Sequence, residues 1–226
     1  MDDKKEVQTL RFQEINNLIV IPLKVNGKML SFILDTGVNK TILFSLSEAD
    51  SVQLKNVKKI TIQGLGDGGS IEALVSEGNS IGVQNYKSFN EQVYVILEDK
   101  FDVSSKMGHT IHGIIGYNIL KNSVVNINYK TKKISFFNPK YFKYKKCRKC
   151  EVFPLEFYRN KPYINVNVQL DTIHNIKTPV KLLIDTGGSE AIWLFENSKE
   201  EIQTPIKYFR DILGEGLSGT IYGNKS

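Results

Sequence analysis

Cysteine is scarce: Cys147 and Cys150, spaced as C-x-x-C, are the two in 226 residues. A disulfide-stapled scaffold is therefore excluded, and the fold must rest on an apolar core, for which a hydrophobic content of 41% is ample. A zinc centre needs about four ligands, and there is no second C-x-x-C. His109 and His112 form an H-x-x-H, but just before an Ile114-Ile115-Gly116 segment whose positions have other demands to meet. A thioredoxin-like redox pair needs a βαβ context that is missing. The two cysteines thus read as structural, joined locally if the protein is exported. Long hydrophobic runs are also lacking. None approaches the roughly 18 residues of a membrane helix, so no transmembrane segment is expected. The start, Met1-Asp2-Asp3-Lys4-Lys5-Glu6, is charged and carries no signal-peptide core. That suits a cytoplasmic protein, or an exported or periplasmic one whose leader has been removed.

Acidic charge is outnumbered, 24 residues against 30 basic ones, for a net charge of +6. The excess is local. Lys130, Lys132, Lys133, Lys140, Lys143, Lys145, Lys146, Arg148 and Lys149 alternate with Phe136, Phe137, Tyr141, Phe142 and Tyr144. A basic-aromatic stretch suits nucleic acid or an anionic membrane. No nucleic-acid motif accompanies it, so it reads as a solvated connection with snorkelling lysines, and no nucleic-acid partner is expected.

What the chain does have is one triplet twice. Ser31-Phe32-Ile33-Leu34 runs into Asp35-Thr36-Gly37, and Lys181-Leu182-Leu183-Ile184 runs into Asp185-Thr186-Gly187, 150 residues on (185 − 35). The same shift lays Gly64-Leu65-Gly66-Asp67-Gly68-Gly69-Ser70-Ile71 on Gly214-Glu215-Gly216-Leu217-Ser218-Gly219-Thr220-Ile221 without a gap. Two copies of one unit are implied. The glycine pattern is formally G-x-G-x-x-G, but a nucleotide fingerprint needs a helix opening from it. Here Lys59-Ile60-Thr61-Ile62 precedes and Ser70-Ile71-Glu72-Ala73-Leu74-Val75 follows, which is a Gly-tipped hairpin.

Strand patterns dominate. Leu18–Val25 leads through Asn26-Gly27, a tight-turn signal, into Lys28–Leu34. Strands are also expected at 93–97, 124–129, 133–137 and, with a clean period of two, Tyr163–Leu170. A longer loop over Asp171–Pro179 replaces the tight turn in the second copy. Helices are expected at Ser47–Gln53, Ile119–Asn122 and Ile206–Leu213, the last between Pro205 and Gly214.

An aspartate ending a buried strand is held rigidly among apolar neighbours. Two such carboxyls at one site do not both ionise cheaply and tend to hold one proton between them. The charged member can activate a water while the protonated one polarises a carbonyl. Together with the Gly-tipped hairpin and Gly113-Ile114-Ile115-Gly116, the chain resembles retropepsin-like aspartic proteases, bacterial two-lobed members most of all. The resemblance implies a mainly β fold of two related barrel-like lobes. Residues 1–140 would form the first, 141–159 a basic connection, and 160–226 the start of a second, incomplete lobe. It implies Asp35 and Asp185 as the catalytic pair, with Thr36, Gly37, Thr186 and Gly187 supporting the loops. Gly66, Asp67, Gly68 and Gly69 would be a flap over a peptide or protein substrate, and neither metal nor organic cofactor is called for. Two positions depart from the family pattern: Val38 and Gly188 stand where a small Ala or Ser is usual. Gly116 follows Asp35 by 81 residues, so its counterpart would fall near 266 (185 + 81), beyond Ser226. Either a homodimer or segment-swapped dimer is therefore expected, since unpaired strand edges seek partners, or a mobile, poorly packed C-terminal part. The rival reading keeps the fold as a non-cleaving, peptide-binding or exported interaction module.

Overall fold

The computed structural model describes residues 7–44, 52–64, 69–83, 86–97, 103–170 and 177–226. The flap positions Gly66, Asp67 and Gly68 lie outside them, as do residues 47–51 of the first expected helix and 171–176 of the long second-copy loop.

The first half is a mixed sheet. Its strands are β2 (Gln13–Ile15), β3 (Leu18–Val25), β4 (Lys28–Leu34), β5 (Thr41–Leu43), β6 (Lys58–Gln63), β7 (Ser70–Val83), β8 (Tyr86–Ile96) and β9 (Gly113–Ile115). They lie in the order β2-β3-β4-β9-β5-β8-β7-β6, and a further β3–β7 pairing turns the sheet back on itself. A smaller sheet joins β1 (Val7–Arg11), β11 (Lys133–Phe137) and β10 (Val124–Asn128). Helix is limited to α1 (Val103–Met107) and the single turn α2 (Tyr117–Leu120).

The unbroken apolar run of β4 follows from burial on both faces. Phe32 and Leu34 enter one buried cluster with Leu23, Val25 and Ile115; Ile33 between them enters a second with Val20, Ile42 and Ile111. Asn26 and Gly27 both take positive φ, 47° and 90°, the left-handed pair that a two-residue hairpin loop demands. Pro22 is tolerated inside β3 because its cross-strand partner Ser31 turns both backbone groups the other way. Ser31 N donates to His112 Nδ1 at 3.0 Å and its carbonyl accepts from His112 N at 2.8 Å. His112 is thus committed to the backbone of β4, and no cluster able to hold a metal occurs among the described residues.

The second half is thinner. The strands β12 (Glu156–Tyr158), β13 (Lys161–Gln169) and β14 (Lys177–Leu183) make one sheet, and β15 (Phe209–Gly216) with β16 (Gly219–Lys225) a separate ribbon. Val180 and Ile202 are its buried apolar side chains, whereas Phe195, Ile206, Phe209 and Tyr222 are exposed.

The helix expected at Ile206–Leu213 is wrong: that stretch enters β15. Ile212 and Gly214 to Gly216 pair with Tyr222 and Ile221 to Gly219, past a register shift at Leu213, and the cross-strand ladder outweighs an isolated helical period flanked by Pro and Gly. Ala191–Leu194, 150 residues on from Thr41–Phe44 and similar to it in kind, carries no strand, unlike β5. Val52 and Gln53 are not helical, and α2 begins two residues before the expected Ile119. Among the described residues no helix is long and apolar enough to cross a membrane. Residues 141–155 have no regular structure beyond turns, and Cys147 is disulfide-bonded to Cys150 within them.

Candidate active site

The two Asp-Thr-Gly triplets meet. Asp35 follows β4, and its N–H donates to the Ile115 carbonyl at 2.8 Å, which ties the loop to β9. The approach is close because Gly116 has no side chain: a Cβ there would lie 2.0 Å from the Asp35 carbonyl oxygen and 2.3 Å from that of Val38. Asp185 follows β14, and the preceding Ile184 N donates to the Pro162 carbonyl of β13 at 2.9 Å.

The threonines lock the two loops by paired bonds. Thr36 N donates to Thr186 Oγ1 at 3.1 Å, and Thr186 N to Thr36 Oγ1 at 3.0 Å. Each hydroxyl then donates across the interface, Thr36 to the Ile184 carbonyl at 2.5 Å and Thr186 to that of Leu34 at 2.7 Å. Four bonds at about 1 kcal/mol net each make this a fixed joint. Serine would satisfy the same atoms, but threonine's branched Cβ also limits χ1.

The glycines bring the carboxyls together. Gly37 N donates to Asp35 Oδ1 at 2.7 Å and Gly187 N to Asp185 Oδ1 at 2.8 Å. A Cβ at Gly37 would sit 2.9 Å from Asp185 Oδ2, and one at Gly187 only 2.3 Å from Asp35 Cγ. Each loop therefore lies against the other's aspartate with no room for a methyl. Asp35 is pushed up to about 7, first by burial, then by the charge of Asp185 and a hydrogen bond between the two carboxyls. The Gly37 N–H and the ammonium of Lys161 oppose that rise. Asp35 thus keeps its proton far above the ordinary carboxylate range, as one of two adjoining carboxyls should.

Val38 does not disturb the loop. Its side chain packs on the second cluster, and its carbonyl accepts from Tyr117 N at 3.1 Å. Gly188 has nothing closer than 3.9 Å to an added Cβ.

The two Gly-rich hairpins also touch. Gly64 N donates to Ser218 Oγ at 2.9 Å, and a Cβ at Gly64 would be 2.4 Å from that of Leu217. Leu217 packs on the second cluster, and Lys106 pairs with Glu215 at 2.8 Å. Of the expected flap residues, Gly69 is described, with φ of 76° at the base of β7. Sequence reasoning missed Leu217, Ser218 and Lys161. The 150-residue shift aligns Ser218 with Gly68 but does not reveal that the second copy's turn meets Gly64 of the first.

Residues 21–119 match a family model described as aspartyl protease. No curated protein matches the chain. The matched span holds the first triplet, the β6–β7 hairpin and Gly113–Gly116; the second triplet lies outside it.

Proposed function

We propose that this protein is an aspartic endopeptidase built as two related lobes in one chain, a barrel-like first lobe from 1–140 and a second beginning at 160, linked by the basic 141–159 connection. The observation that carries the reading is the reciprocal joint: Thr36 and Thr186 cross-bonded, each glycine against the opposite aspartate. A turn that merely ended a strand would have no reason to meet its own copy in this way. The aspartyl-protease match to the first half supports the same chemistry.

Asp35 and Asp185 share a proton and hold a water between them. The ionised carboxyl takes a proton from the water as it attacks the peptide carbonyl, and the protonated one donates to the developing oxyanion. The nitrogen then leaves with a proton returned from the pair. Thr36 and Thr186 fix the loops, and Gly37 and Gly187 let the carboxyls approach. The β6–β7 hairpin, met at Gly64 by the one turning at Leu217–Ser218, closes over an extended peptide.

The test is cleavage of a quenched-fluorescence peptide library from pH 3 to 8, with Asp35→Asn and Asp185→Asn alongside. Each variant should keep its fold and lose turnover by at least about 10³-fold. Turnover should fall above about pH 7, where Asp35 gives up its proton. Peptide binding without cleavage at any pH would favour the non-cleaving interaction module instead.

A further inference from the structure

The pair is locally symmetric in its hydrogen bonds but not in its surroundings. In the first half β3 and β4 pair Val20 with Ile33, and two steps on along each chain stand Leu18 and Asp35. In the second half β13 and β14 pair Tyr163 with Leu183, and Ile184 N bonds to Pro162 O. The next position on each chain is Lys161 and Asp185. Both Leu18 and Lys161 follow a left-handed pair: Asn16 and Asn17 at φ 50° and 64°, Arg159 and Asn160 at 49° and 64°. The two residues are thus the same structural position, apolar in one copy and cationic in the other.

Lys161 is also held in place. The β12–β13 turn docks on the first-half loop, with Asn39 Nδ2 donating to the Arg159 carbonyl at 3.2 Å and the Tyr117 and Phe157 rings 6.5 Å apart edge to face. Proline at 162 restricts the backbone of Lys161 itself. The side chain is partly buried. Among the described residues, the charged groups that act on the Asp35 carboxyl are Asp185 from the facing loop and Lys161 from β13.

We propose that Lys161 is a positioning residue of the aspartate pair, a cation on one side only, which offsets part of the negative charge the two carboxyls carry. This rests on the endopeptidase reading for its purpose, though not for its physics. Without the cation a buried pair holds its proton to higher pH, and the ionised form that activates water becomes scarcer in the acid range. Leu18 cannot do this, so among the described residues the cation comes from the second half.

The experiment is a titration of the full chain labelled with ¹³C at the aspartate carboxyls, for the parent, Lys161→Met, Lys161→Gln and Lys161→Arg, each checked for fold by its amide spectrum. Lys161→Met and Lys161→Gln should move the titration of the pair, at both midpoints, upward by several tenths of a pH unit, less in 1 M salt. Lys161→Arg should restore it. The alkaline edge of peptide turnover should move with it, while a loss confined to packing would lower stability and leave both midpoints in place. Unmoved midpoints in two folded, uncharged variants overturn the proposal. If the midpoints move yet no peptide is cut, the role of Lys161 stands and the endopeptidase reading falls. If they stay while Asp35→Asn abolishes cleavage, the reverse holds.

Discussion

Asp35→Asn should make the protein more stable at neutral and alkaline pH, and the size of the gain can be worked from the site. An exposed aspartate titrates at 3.8, whereas Asp35 is pushed up to about 7 by burial and by Asp185. The folded state therefore binds more protons than the unfolded one between these values, so stability falls as pH rises through the window. It is greatest below about 4, the ordinary value, and the loss is complete somewhat above 7. A shift of this size corresponds to about 4 kcal/mol at 1.36 kcal/mol per unit. Asparagine keeps the acceptor for Gly37 N–H and cannot ionise, so the variant escapes that cost. Chemical denaturation at pH 4.5 and pH 8 is the assay. The parent should lose on the order of 3–4 kcal/mol between them relative to Asp35→Asn, a large part of a normal folding free energy. Parallel curves for the two proteins would refute the claim that Asp35 is held near neutral by its surroundings.

Five further expectations follow from the same geometry. Thr186→Val removes one acceptor and one donor from the joint and should cost about 2–3 kcal/mol by denaturant titration, with Thr186→Ser recovering most of it. Gly187→Ala forces a methyl against the Asp35 carboxyl and should abolish turnover with modest loss of stability. Gly116→Ala meets two backbone carbonyls that cannot move aside, and should instead prevent soluble folding. Leu217→Asn should release the β15–β16 ribbon from the first half, read as faster hydrogen exchange over 209–225 at unchanged exchange in β3 and β4. The exposed Phe195, Ile206 and Phe209 and the open edge of β14 should drive self-association at micromolar concentration, and light scattering that shows a strict monomer would count against it.

The features legible in the sequence were those with a local physical code. Asn26-Gly27 demands two left-handed residues and so fixes the β3–β4 hairpin and its register. The run Phe32-Ile33-Leu34 is apolar without alternation because β4 is buried on both faces, and an Asp-Thr-Gly after it must be a turn at a buried strand end. What stayed hidden depends on distant pairing. β15 reads as a helix until Gly219–Lys225 is laid beside it, and the repeat with 64–71, which points to a hairpin, was the better guide. Lys161 is one lysine among many until the β13–β14 register places it opposite Asp185. The meeting of Gly64 with Ser218 has no local signature, because it joins residues whose neighbourhood is made only when the two halves close.

Carrying both triplets on one chain has a chemical consequence. In a pair formed by two identical chains, any cation beside one aspartate is repeated beside the other, so a charge of +2 would face a site that carries −1. With the copies joined, positions 18 and 161 are free to differ, and they do, as leucine and lysine. Leucine at the first position also suits its packing against the cluster that holds Val20 and Ile33, where an ammonium would be costly to bury. The same freedom appears where the two hairpins touch, with Leu217 and Ser218 of one copy seated against Gly64 of the other, so that the small residue of one accepts the large residue of its mate. Joining the copies thus permits a site symmetric in the threonine joint, where the two aspartates meet, and asymmetric at positions 18 and 161 and at the hairpin contact.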